Sequence, residues 1–67
     1  MKIMNTPIQK ACDLLGGQSA LARAIGVKPQ SVQAWVARGE VPLKRCRSIE
    51  NITGGKVTAA ELRPEFF

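Results

Sequence analysis

The sequence predicts an all-α fold, a compact bundle of about five short helices, on three observations. Helix-start signatures recur along the chain, glycine closes nearly every run, and apolar residues return at spacings of three and four rather than two. The chain has 67 residues. Dividing them would leave pieces too small to bury a core without metals or disulfides, so one domain spanning 1–67 is expected.

The first helix opens at Thr6-Pro7-Ile8-Gln9. Threonine serves as N-cap, proline takes the first helical position, and the glutamine can return a bond to the cap's amide. Ile8, Ala11, Cys12 and Leu15 then form one apolar face until Gly16-Gly17 ends the run. A second helix, Gln18 to Ile25, is built on Leu21, Ala22 and Ile25 and stops at Gly26, a residue suited to positive φ. A third starts at Pro29, carries Val32, Trp35 and Val36, and ends at Gly39; Trp35 shares that apolar face and is assigned to the core. A fourth opens at Pro42, turns Leu43, Cys46, Ile49 and Ile52 inward, and terminates at Gly54-Gly55. Thr58-Ala59-Ala60-Glu61 is a capping box that starts a single turn, cut off by Pro64. Loops of two to four residues are expected, and only Val57 and the tail Pro64 to Phe67 are left for extended structure.

Composition removes most catalytic chemistry. The chain has no histidine and no tyrosine, Asp13 is its only aspartate, and Glu40, Glu50, Glu61 and Glu65 are scattered. A serine or cysteine nucleophile would lack its usual imidazole base, so no catalytic residue is assigned. Cys12 and Cys46 lie 34 positions apart with no histidine, too little for a four-ligand zinc site; they read as small buried hydrophobes, with no metal or cofactor. No apolar run approaches the roughly 20 residues of a membrane span, and the opening MKIMNTPI has no signal-like apolar stretch. A cytoplasmic protein without a membrane partner is expected.

The net charge of +5 is concentrated. Residues 18 to 47 hold six basic side chains (Arg23, Lys28, Arg38, Lys44, Arg45, Arg47) against Glu40 alone, whereas the rest carries four of each sign. Such a surface suits a polyanion, but a charge cluster alone is more often a solvated face. It acquires meaning from the motif it surrounds. From about 18 to 38 the pattern is helix, short glycine-containing turn, helix, which is the helix-turn-helix unit. Ala22 is small where the first helix would cross the second, and Leu21, Ile25, Val27, Val32 and Trp35 supply the inner contacts.

The opposite face of the third helix presents Lys28, Pro29, Gln30, Gln33, Ala34, Ala37 and Arg38, without one acid. In a major groove Gln can pair with adenine, Lys or Arg with guanine, and Ala can touch a thymine methyl. Lys28, Gln30, Gln33, Ala34 and Arg38 are therefore the candidate base readers. Gln18 and Ser19 sit at a helix N-terminus, where exposed amides favour a phosphate, with ordinary capping as the alternative. Ser31, Lys44, Arg45 and Arg47 complete the candidate phosphate contacts; one of the three fourth-helix cations could instead pair with Glu40 or Glu50. Lys28 precedes the proline where a capping residue is expected, and it cannot accept a bond from the helix amides. It either reaches a phosphate or guanine or is a tolerated surface lysine.

The segment GGQSALARAIGVKPQSVQAWVARGEVP resembles the lambda-repressor-like helix-turn-helix of phage Cro-type repressors, and RCRSIENITGGKVTAAELRPEFF is similar to the end of the YdaS family. The tail motif T-G-G-x-V-T followed by E-L-R-P is the more specific part. The resemblance implies five short helices, operator binding as a transcriptional repressor, and phosphate contacts at Gln18 and Ser19. It also opens a second reading, an antitoxin that binds a toxin or regulator protein and autoregulates its operon. Phe66 and Phe67 are too apolar to stand free in water: either they fold back over Leu62 and the core, or the three residues meet a second subunit. A homodimer formed only on DNA would fit a palindromic operator, whose half-sites lie one helical turn apart.

Overall fold

The computed structural model describes residues 6–67. Five helices follow one another: α1 (Pro7–Leu15), α2 (Gln18–Ile25), α3 (Pro29–Arg38), α4 (Leu43–Ile52) and α5 (Ala59–Leu62), with no strand among the described residues. The structure therefore has the predicted all-α architecture. α2 packs most extensively on α3 and also touches α1 and α4, so the second helix is the hub of the bundle.

Each helix forms for a local reason. At α1 the Thr6 hydroxyl accepts a bond from the Gln9 amide at 3.2 Å. The expected return bond is absent: the Gln9 side chain donates instead to Asp13 Oδ1 at 3.0 Å, one turn along. At α5 the capping box is complete, with Thr58 Oγ1 accepting from the Glu61 amide at 3.1 Å and Glu61 Oε1 accepting from the Thr58 amide at 3.2 Å. α1, α2 and α3 all end on a left-handed glycine, Gly16, Gly26 and Gly39. At Gly39 (φ 69°) any other residue would be strained, and the amide there closes the helix by donating to Val36.

The core collects one face from every helix: Ile8, Ala11 and Cys12 from α1, Leu21 and Ala22 from α2, Val32 and Trp35 from α3, Cys46 and Ile49 from α4, Ala59 and Leu62 from α5. Trp35 is 5% exposed and acts as core. Both cysteines are free and buried. Burial pushes both thiols up; the Asp13 carboxylate adds to the effect at Cys12, whereas Arg63 opposes it at Cys46.

Three expectations require correction. Leu43 is 41% exposed rather than inward. Steps of three residues fall short of a helical turn by about 60°, so a stripe over 43, 46, 49 and 52 rotates half-way round the helix. Cys46 and Ile49 at its centre face the core, Ile52 is only half-buried, and Leu43 is carried to the surface. Secondly, Val57 and the tail are not extended. Val57 is fully buried in a bend, and residues 64–66 form a turn closed by the Phe66 and Phe67 amides donating to the Arg63 carbonyl at 3.0 and 3.2 Å. Thirdly, the α4–α5 connection runs over six residues, Thr53 to Thr58, beyond the expected two to four.

That longer loop is organised by a buried threonine. The Thr53 hydroxyl lies 2.9 Å from the Ile49 carbonyl, to which it donates, and accepts from the Val57 amide at 3.2 Å. Glu50 Oε1 accepts from the Ala59 amide at 2.9 Å, tying α4 to the start of α5. Arg63 then locks the tail to the α3–α4 loop: its guanidinium donates to the Val41 carbonyl at 2.9 Å and pairs with Glu65 at 2.8 Å and Glu40 at 3.7 Å. These three ties hold α4 and the loop after α3 at a set position relative to α3.

Candidate nucleic-acid interface

α3 is two-sided. Val32 and Trp35 are buried against the bundle, whereas Gln30, Gln33 and Ala37 are exposed and Ala34 is half-buried. Gln30, Gln33, Ala34 and Ala37 follow the i, i+3, i+4, i+7 rule and share one outward stripe. Lys28 stands exposed at the mouth of the helix, with φ −77° and ψ 146° and no side-chain bond to the first turn. Arg38, four residues after Ala34, borders the stripe at its C-terminal end. It is the last residue of α3, about 12 Å along the axis from Gln30. It lines a cleft of about 430 Å³ with Thr6, Glu40, Glu61, Arg63 and Glu65.

Five of the six candidate phosphate residues lie in the first turn of a helix, and Arg47 lies one turn further along α4. Gln18 and Ser19 occupy the first two positions of α2, Ser31 lies in the first turn of α3, and Lys44 and Arg45 lie in the first turn of α4. The caps of the five helices divide in two. α1 and α5 begin with a threonine side chain bonded to the helix, whereas α2, α3 and α4 begin at Gly17, Lys28 and Pro42 with no side-chain cap. None of these three carries an acidic residue in its first turn. Unsatisfied amides and the positive dipole end thus coincide with the segment that holds the chain's excess cations.

The alternative pairing of an α4 cation with Glu40 or Glu50 does not occur. Glu40 is engaged by Arg63 and Glu50 by the Ala59 amide. Among the described residues, Lys44, Arg45 and Arg47 enter no ion pair. Arg47 lies over the Phe67 ring, its guanidinium carbon 5.2 Å from the centroid, and Arg63 lies over Phe66 at 4.9 Å. The two phenylalanines are thus folded back onto arginines, and they stay 57% and 46% exposed. Leu62 is 7% exposed and belongs to the chain's own core, so only the two aromatics remain available to a second subunit.

Sequence reasoning missed the roles of Arg63, Thr53 and Glu50. Arg63 was counted only as a charge, and its bond to Val41 spans 22 positions that no local pattern links. Thr53 had a local signal, a β-branched hydroxyl in the last helical turn before Gly54-Gly55, where back-bonding to the preceding turn is common.

Fold and surface together define a small all-α helix-turn-helix protein whose exposed helix is basic and glutamine-rich. Its family follows from comparison with known proteins. Residues 8–67 match the model of the family described as "Bacterial toxin YdaS", and the chain belongs to the YdaS family. It is 46% identical over 67 residues to "Putative transcriptional regulator YdaS" of Escherichia coli K12, an alignment covering 97% of this chain and 67% of the relative. It is 38% identical over 52 residues to the Gene 30 protein of Enterobacteria phage phi80, covering 75% of this chain and 71% of that protein. The structure is similar to that of the "Cro protein from putative prophage element Xfaso 1" of Xylella fastidiosa strain Ann-1, with a TM-score of 0.90 and 47% identity over 96% of this chain and 97% of that one. One of these relatives is thus named as a transcriptional regulator and the solved structure as a Cro protein. No described helix is long and apolar enough to cross a membrane.

Proposed function

We propose that this chain is a sequence-specific double-stranded DNA-binding transcriptional regulator, a Cro-like prophage repressor that lays α3 in the major groove of its operator. In this reading residues 1–67 act as one DNA-binding domain, with the helix-turn-helix at about 18–38 and the tail at about 57–67. Gln30, Gln33 and Ala34 read base edges, joined by Lys28 and Arg38. Gln18, Ser19, Ser31, Lys44, Arg45 and Arg47 hold the backbone.

One observation carries the reading: the three helices of the basic segment are the three without a side-chain cap, and cations crowd two of their N-termini. A cation in a first turn opposes the dipole and costs about 0.3 to 1 kcal/mol. Lys28, Lys44 and Arg45 sit at these positions, so the free protein carries a repulsion that an incoming phosphate reverses. The relatives named as a transcriptional regulator and a Cro protein support the same conclusion.

The test is an anisotropy titration on duplex DNA from just upstream of the chain's own gene, with a random duplex as competitor, at about 150 mM salt. Binding at least ~10³-fold tighter to the upstream duplex is expected. Equal, weak and steeply salt-dependent binding to both would reject operator reading.

The exposed Phe66 and Phe67 favour a second reading, an antitoxin whose tail engages a protein partner. The family description names a toxin and lends this direction of pairing no support. Deleting residues 64–67 separates the two: protection lost with DNA binding intact selects the antitoxin. The same aromatics serve a homodimer on DNA in the first reading.

A further inference from the structure

Two arginines lie over two phenylalanines, but their hydrogen-bonding capacity is spent differently. Arg63 uses its fork inside the fold, on the Val41 carbonyl, Glu65 and Glu40. The Arg47 side chain makes no hydrogen bond or ion pair among the described residues; what it meets is the Phe67 ring. Attraction to a ring quadrupole restrains a guanidinium without consuming any of its N–H donors. Arg47 is therefore held in place with its whole fork available.

The backbone that carries the ring is anchored. The Phe67 amide donates to the Arg63 carbonyl at 3.2 Å, and the Arg63 side chain is fastened to Val41 in the α3–α4 loop. A line of support thus runs from the loop that follows α3, through Arg63 and Phe67, to Arg47. On α4, Arg47 is one turn beyond Lys44, and both are exposed. A restrained arginine fork one turn beyond a point-like lysine charge is suited to phosphate oxygens on a backbone, because the fork binds two of them at fixed geometry.

We propose that Phe67 is a positioning residue for a phosphate clamp: its ring orients the Arg47 guanidinium so that it grips one backbone phosphate of bound DNA with two N–H donors. The clamp deepens the DNA-binding reading and rests on it.

The experiment is a double-mutant cycle on the full chain with the upstream duplex. Phe67→Ala weakens binding by up to about two- to fivefold, because the restraint the ring places on Arg47 can be worth no more than one exposed cation–π contact. Phe67→Trp restores it, whereas Phe67→Leu, apolar but without a ring face, does not. In an Arg47→Ala background Phe67→Ala has no further effect. Melting curves on each variant separate loss of fold from loss of the clamp. Unchanged or tighter binding by a folded Phe67→Ala, rescue by leucine, or an equal loss in the Arg47→Ala background would each overturn the clamp. An unmutated chain that ignores the upstream duplex would overturn the DNA-binding reading and the clamp with it, so the two failures are told apart by the first titration.

Discussion

Replacing Lys28 by serine should move stability and DNA affinity in opposite directions. Lys28 has the extended backbone of an N-cap, φ −77° and ψ 146°, and makes no side-chain bond to α3. Serine can adopt the same backbone and accept the open Gln30 amide, which is worth about 0.5 to 2 kcal/mol. It also removes a cation from the positive end of the dipole, worth a further ~0.3 to 1 kcal/mol. For a domain of this size each kcal/mol raises the melting temperature by about 4 to 8 °C. On DNA the sign reverses. One phosphate contact contributes about 0.9 to the slope of log affinity against log salt, which at about 150 mM is close to a fivefold loss of affinity. A base contact would add about 1 to 3 kcal/mol, felt at one position only. Melting by circular dichroism and titrations at three or more salt concentrations read all of these. A Lys28→Ser chain that is more stable yet binds with unchanged affinity and salt slope would remove Lys28 from the interface and leave it a tolerated surface residue.

Gln33→Ala, at an exposed position, should leave the fold intact and cost about 1 to 3 kcal/mol of discrimination at a single base pair; competition with singly substituted duplexes checks it, and uniform weakening would contradict base reading. Thr53→Val keeps the shape but leaves the buried Val57 amide without its acceptor, so chemical denaturation should show a loss of about 1 to 3 kcal/mol that Thr53→Ser largely avoids; a loss below about 0.5 kcal/mol would mean the amide finds another partner. Glu65 is held below the usual carboxylate range by hydrogen bonding to backbone and by the Arg63 side chain. Its contribution to stability is thus complete above the ordinary carboxylate range and is lost as pH falls through the lowered value. Glu65→Gln should flatten the acid limb of melting temperature against pH, and an unchanged limb would show that this ion pair plays no part.

Helix boundaries were legible because local chemistry sets them. Thr6, Pro7, Pro29 and Thr58 mark starts and Gly16, Gly26 and Gly39 mark ends within a residue or two, since caps and left-handed glycines act over three or four positions. The outward stripe of α3 was legible for the same reason, being a matter of periodicity. What could not be read depends on residues far apart in sequence. Nothing near Arg63 announces Val41, and nothing near Glu50 announces Ala59. The misplaced Leu43 shows a different limit: a spacing of three is helical, yet over three steps it drifts off any one face. The tail was legible only in part, because apolarity indicates that a ring seeks cover without indicating what it meets, and here it meets guanidinium groups.

The two-sidedness of α3 bears on how such a protein can change over generations. Val32 and Trp35 commit one side of the helix to the bundle, whereas Gln30, Gln33 and Ala37 lie outside the core. Substitutions at exposed sites of this kind usually shift stability by less than about 0.5 kcal/mol. If α3 reads DNA as proposed, rewriting those positions alters what the helix recognises while leaving the scaffold's thermodynamics nearly untouched. Proteins that share this fold could then drift apart in target without passing through unfolded ancestors.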